Sequence, residues 1–187
     1  MKKLFIAGAV LLLLGTASIS QAKIGLGYDG YNGAVSVKYM GAKFGLQGMA
    51  NIGFEGAPSG AGDNTVDEMS MDFTVKFLFP FIQEEKLHIN GVLGIGIQNY
   101  TGISHVKDAS KMNTGWLLGI SPEYYVMPNL SFETTFGIGG TMYGKTKVGD
   151  TELEDDYMAM GTFGSQISIS TGVAFHYYFA EKAAKAE

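Results

Sequence analysis

KFGLQGMANIGF, residues 43–54, consists of two interleaved sets of side chains. One is Phe44, Leu46, Gly48, Ala50, Ile52 and Phe54; the other is Lys43, Gly45, Gln47, Met49, Asn51 and Gly53. Successive side chains of a strand point to opposite faces, so this is a ribbon with an apolar and a polar side. The fold turns on which side is inside. A water-soluble sheet would bury the first set; the rest of the chain argues for the reverse.

The same period of two recurs along the chain and predicts eight strands, at 23–29, 34–40, 43–55, 67–79, 87–100, 114–126, 130–143 and 163–179. Most reach the ~9–11 residues that cross a bilayer at a tilt. Short links at Gly41-Ala42, 80–86 and 127–129 alternate with longer, polar, Gly-rich loops at 56–66, 101–113 and 144–162, and Asp29–Gly33 joins the first two strands. Short turns at one end and longer loops at the other describe an outer-membrane barrel. Folding the chain at its short links sets Tyr39 opposite Phe44, Phe79 opposite Leu87, and Tyr124 opposite Phe132. Apolar residues then meet apolar ones in all three hairpins, whereas a slip of one residue would mix the faces.

Bulk composition narrows the class. Among 187 residues there are 27 Gly, 4 Pro and no Cys, so packing and backbone hydrogen bonds must hold the fold without disulfides. MKKLFIAGAVLLLLGTASISQA, residues 1–22, reads as a secretory signal peptide. Lys2 and Lys3 precede a short apolar core, and Ser20-Gln21-Ala22 forms a small-x-small cleavage site. Without it the chain keeps 11 Lys, no Arg and 18 acidic residues, a formal charge of −7. That balance lacks the basic footprint of a nucleic-acid binder. Beyond residue 22 no apolar run approaches the ~20 residues of a spanning helix, which excludes a helical membrane protein and leaves a membrane barrel open.

Three features turn the apolar face outward. It carries no charge across the strand centres: Val35, Leu46, Ile52, Phe73, Val75, Leu93, Ile95, Leu118, Ile120, Phe136, Ile138, Ile169 and Val173. The opposite face is rich in glycine (Gly25, Gly27, Gly45, Gly53, Gly94, Gly96, Gly119, Gly137, Gly139, Gly172), which suits the cramped interior of a narrow barrel better than a wet exterior. Aromatics of the apolar face gather at the turn end (Tyr39, Phe44, Phe77, Phe79, Tyr124, Phe132, Tyr177, Phe179), as in one half of an aromatic girdle. Phe54, Trp116 and Phe163 supply a sparser second half. The expected fold class is all-β: a single-domain, eight-stranded antiparallel transmembrane β-barrel over residues 23–179. Closure is required because lipid cannot satisfy an open sheet edge.

On these residues the chain resembles the OmpA/OmpX-like small outer-membrane barrels over essentially all of 23–179. In the last strand, GVAFHYYF, the residues Val173, Phe175, Tyr177 and Phe179 resemble the C-terminal signal read by the barrel-assembly machinery. The chain departs from that pattern by continuing past Phe179 into AEKAAKAE, expected to be a polar periplasmic tail. The resemblance implies the outer membrane as location, lipid and the assembly machinery as partners, and a monomer.

Candidate chemistry is sparse. Lys38, Glu68, Asp72, Lys76, His88, Asn90, Glu123, Glu133 and His176 should point into the lumen, with Glu123 directly opposite Glu133. Like charges so paired need a cation or a shared proton, which Lys76 or a histidine could supply. The set reads as a structural network filling a narrow lumen; the competing reading is a cation site or a narrow, porin-like path. Ser104, His105 and Asp108 bring a serine, a histidine and an acid into one loop, which resembles the lipid-modifying enzymes that also use eight-strand barrels and leaves a lipid-acting enzyme using His105 as a third reading, but adjacency in a loop does not orient a base against a nucleophile. The acidic stretch GDTELEDD, 149–156, does not match a calcium loop, and GDNTVDE, 62–68, is a fragment of one. GVLGIGI and GIGG open no helix and so are not nucleotide loops. The expectation is a non-enzymatic barrel with no cofactor, metal or nucleic acid. Its role would be structural or in surface contact through the loops 56–66, 101–113 and 144–162. A narrow conduit for small solutes is the alternative.

Overall fold

The computed structural model describes residues 23–29, 33–57, 65–155, 159–162 and 173–179. The signal peptide, the C-terminal tail and the part of the eighth predicted strand that holds Phe163, Ile169 and Gly172 lie outside the described residues. The elements are β1 (Lys23–Asp29), β2 (Ala34–Met40), β3 (Gly45–Glu55), β4 (Glu68–Gln83), β5 (Leu87–Thr101), a 3-10 turn (Ile103–His105), β6 (Ala109–Met127), β7 (Leu130–Thr134), β8 (Phe136–Val148), β9 (Thr151–Asp155), β10 (Ala159–Thr162) and β11 (Val173–Tyr178).

Eight of these close a ring in which every pair is antiparallel: β1 to β7 in sequence order, then β11 between β7 and β1. Phe179 N donates to Ile24 O at 2.9 Å and Tyr178 N to Asn129 O at 2.8 Å, so the seam carries backbone bonds of ordinary length. β8 continues the wall strand begun by β7, with Thr135 between them, and pairs with β6.

Pairing also gives the stagger. From Leu26, partners run through Val37, Gly48, Val75, Ile95 and Trp116 to Gly140; in the other direction they run through Tyr177 to Leu130. Gly140 and Leu130 lie ten residues apart on one wall strand. With ~3.3 Å per residue and ~4.8 Å between strands, that stagger tilts eight strands by about 40° to the barrel axis.

Face assignment follows the alternation. Leu26, Val35, Val37, Ile52, Phe73, Leu93, Ile95, Leu118, Ile120, Phe136, Ile138 and Phe175 are exposed on the outside. Lys38, Gln47, Lys76, Asn90, Ser121, Glu123, Ser131, Glu133 and His176 are buried inside. Two glycines show why the interior is lean. A Cβ at Gly27 would meet the His176 ring and Ser36 Oγ, and one at Gly45 would meet Met40 Sδ.

Two predicted registers are corrected. Tyr39 pairs with Leu46, not Phe44, because residues 41–44 form a four-residue turn closed by Gly41 N to Phe44 O at 2.9 Å. Phe79 pairs with Gly91, not Leu87, because β4 runs on to Gln83 with a bulge between Pro80 and Ile82, where proline cannot donate to the ladder. The shifts are two and four residues. Both are even, so every side chain keeps its face. In the sixth–seventh hairpin, Tyr124 opposite Phe132, Glu123 opposite Glu133 and Ile120 opposite Phe136 are as predicted; Leu130 meets Met127 in place of Val126, across a register shift.

The long loops are also corrected. Most of 144–162 is sheet: β8 extends to Val148 and turns through Gly149-Asp150 into β9, with Gly149 at φ 59, a conformation glycine adopts without strain. The loop after β5 shrinks to 102–108, and β6 begins at Ala109. β6 has 19 residues, which at ~3.3 Å each and a ~40° tilt span about 45 Å, well beyond the ~25 Å apolar band of a barrel. The sheet therefore stands above that band on the loop side.

A buried charge network in the lumen

Cross-strand geometry places Glu123 on β6 against Glu133 on β7, both fully desolvated. Lys38, from β2 on the other side of the lumen, resolves the repulsion. Its Nζ donates to Glu123 Oε2 and to Glu133 Oε2, both at 2.8 Å. Buried charges persist only when the remaining lone pairs are also satisfied. Here Tyr178 OH (2.5 Å) and Ser131 Oγ (2.6 Å) donate to Glu123 Oε1, and Ser121 Oγ donates to Glu133 Oε1. His176 lies alongside, with Nδ1 3.3 Å from Glu133 Oε2 but off hydrogen-bond geometry; Ser36 Oγ and the Gln47 side-chain amide each hold Nε2 at 3.1 Å. Glu123, Glu133 and His176 are grouped closely enough to bind a metal ion, and the Lys38 ammonium already bridges the two carboxylates.

An apolar layer of Met40, Leu78, Val92, Leu117, Tyr125 and Tyr178 packs together inside the barrel. Tyr178 belongs to both layers: its ring stacks on Tyr125 at 5.7 Å while its hydroxyl reaches Glu123.

The polar lumen residues expected from sequence do not form one network. Lys38, Glu123, Glu133 and His176 come together. Lys76, expected as the counter-charge to the glutamates, instead donates to Thr135 Oγ1 at 3.1 Å, and Lys38 takes its place because β2 faces the hairpin across the lumen. His88 packs its ring against Tyr125 at 4.7 Å, and Asn90 Nδ2 reaches Ser121 O at 3.4 Å. Asp72 is half-buried opposite Asn51, and Glu68 accepts from Ser104 N at 3.1 Å. Ser36, Ser121, Ser131, Thr135 and Tyr178 were not singled out in the sequence, and Gln47 was placed on the polar face without a partner. Their signal was parity: each lies on the same face as a charged residue or a histidine two residues away, or opposite one.

Loop residues do different work. His105 Nδ1 meets Val66 O at 3.2 Å, Val66 N donates to His105 O at 3.0 Å, and Thr65 bridges Val106. Gly149 N donates to Asp108 O at 3.1 Å. Ser104, His105 and Asp108 hold positive φ (53, 59 and 59°), a cost of order 1–3 kcal/mol each that the surrounding bonds must sustain. Three outer connections are thus tied into one rim. In the last strand, Phe175 and Tyr177 point outward with Phe179 exposed beside them, and the Phe175 ring lies 4.5 Å from Phe132; the side chain of Val173 lies outside the described residues.

A closed sheet with hydrocarbon outside and paired charges inside is the inverse of a soluble barrel, and closure satisfies the backbone where lipid cannot. The chain is a small outer-membrane β-barrel. Its closed eight-strand ring is the architecture that the resemblance to OmpA/OmpX-like barrels implied. No family model and no curated protein matches the chain. Among solved structures it is similar to a major outer membrane protein from Thermus thermophilus, with 16% identity over 84% of this chain and 99% of that one and a TM-score of 0.49. It is also similar to Ail, the attachment invasion locus protein of Yersinia pestis, with 15% identity over 84% and 93% and a TM-score of 0.35. The barrel assignment rests on the pairing and burial in this chain itself.

Proposed function

We propose that this small outer-membrane barrel is a non-catalytic, closed element of the envelope whose roles are mechanical integrity and surface contact through its raised outer rim. The observation that carries the reading is the complete burial of Lys38, Gln47, Asn90, Ser121, Glu123, Ser131 and His176. Side chains lining a water-filled channel stay accessible to water; these do not. The rim supports the surface role, since loops tied by hydrogen bonds and an isolated bridge present one arrangement and lose less entropy on binding than free loops. His105 spends Nδ1 on the Val66 carbonyl, which favours a structural over a catalytic use. Outward-facing Phe175 and Tyr177, with Val173 and Phe179, serve in this reading as the signal to the assembly machinery.

A second reading, a narrow conduit, has one observation in its favour. Gln47 Oε1, Asn90 Oδ1 and Tyr125 OH are buried without a hydrogen-bond partner among the described residues, and such groups commonly hold ordered water. Planar-bilayer recording separates the two. The closed barrel predicts no stable, reproducible conductance steps from the purified protein; steps that recur across preparations would replace the closed reading with the conduit.

A further inference from the structure

Most of the outward face is a continuous apolar surface, but on β3 it is cut by a trough. Gly48 and Ala50 point outward there, between Val35 and Val37 on β2 and Phe73 on β4, with Leu26 closing the far side. The depression measures about 390 Å³, and its lining is almost wholly carbon. A Cβ built on Gly48 meets nothing within 4 Å, so the trough is open space with a backbone floor. Leu46 and Ile52 are the next residues of the same parity along β3 on either side of it. Gly48 and Ala50 are two residues apart, so the floor is ~7 Å long and the trough about two strand spacings, ~10 Å, wide.

We propose that this trough is a binding site for a single lipid hydrocarbon chain, held more persistently than the lipid around the rest of the wall. The inference rests on the outward face being the lipid-facing one, and it is continuous with that interface. An unfilled trough in a bilayer would cost its lining the dispersion contacts that a chain lying in it supplies. A flexible chain of methylenes fits a groove whose floor is the single strand β3, between Val35 and Val37 on one side and Phe73 on the other. A second barrel does not: a stable protein interface takes about 800 Å² from each partner, and the rest of this wall is convex around a trough two residues long.

The test uses the protein in bilayers of phosphatidylcholine doped with phospholipid spin-labelled at mid-chain, reading amide signal broadening by NMR. Broadening at residues 47–50 should exceed that at the mid-wall residues Leu93 and Ile120 by at least twofold. Gly48→Leu should abolish the excess while leaving Leu93 and Ile120 unchanged. Ala50→Leu, a milder filling of the same trough, should reduce it if Gly48→Leu does not assemble. Equal broadening around the wall, or an excess that survives both fillings, overturns the site. Intermolecular cross-linking through a cysteine placed at Ala50 would overturn it in favour of a second copy. Broadening absent from every outward residue would sink the lipid-facing assignment itself, a result distinct from loss of the excess alone.

Discussion

Two ion-pair sites in this molecule use the same chemistry with opposite consequences. Lys38 meets Glu123 and Glu133 in the lumen, where all three side chains are fully or almost fully buried. Lys145 meets Glu152 at 2.5 Å on the raised β8–β9 hairpin, with each side chain a third to a half exposed. In the lumen, each charge has lost water and depends on named partners; on the hairpin, water stands ready to replace either partner. Distance is nearly the same in both places. What differs is the cost of the broken state.

The largest expected effect therefore lies inside. Lys38→Met leaves two opposed carboxylates without their cation and should cost about 3–5 kcal/mol. Urea titration of the barrel refolded in lipid would measure it. A loss below ~1 kcal/mol would mean that the network adds little to the fold. The triple change Lys38→Met, Glu123→Gln, Glu133→Gln should recover much of that loss, because it removes the unpaired charges.

The wall comes next. Ile52→Lys places an ammonium on the outward face, where a charge costs up to about 2–4 kcal/mol at the midplane of a barrel and less toward its rims, whereas Asn51→Lys points to the lumen side and should cost clearly less. Assembly yield in vesicles compares the two, and equal tolerance would contradict the facing of β3. Tyr178→Phe removes one hydrogen bond to the Glu123 carboxylate while keeping the ring stack on Tyr125. A loss of about 1.5–3 kcal/mol is expected for a hydrogen bond to a charged group, again by urea titration. The smallest effect is on the hairpin. Lys145→Ala should change stability by less than ~1 kcal/mol, in the range of exposed pairs; a change as large as that of Lys38→Met would erase the contrast between the two sites.

Much of the architecture was legible along the chain because strand facing has a period of two. Lys38, Glu123 and Glu133 were placed inside and Leu46, Ile52 and Phe73 outside without any knowledge of partners. The errors in register show the limit of that signal. Moving Phe79 from Leu87 to Gly91 changes its partner but not its face, since parity is blind to even shifts. The bulge at Pro80–Ile82 and the four-residue turn at 41–44 left no mark on the alternation. The β8–β9 hairpin reads as loop in the sequence because its charged residues hide the period: above the apolar band both faces are wet, and a strand there has no apolar side to display.

By itself, the sequence determined that this is an all-β barrel with its apolar face outward, and it set Glu123 against Glu133. Alternation, strand length and the short sixth–seventh turn are local properties, written within a few residues of one another. Only the tertiary structure decided which cation stands between those glutamates. Lys38 is 85 residues from Glu123 along the chain and 95 from Glu133, and they meet because ring closure and a ten-residue stagger bring β2 to face β6 and β7 across the lumen. The same closure separated Lys76 and His88 from the network and left the trough at Gly48 on the wall. Each of these depends on what lies across the barrel or on neighbouring strands, and pairing over such separations is settled only when the sheet closes.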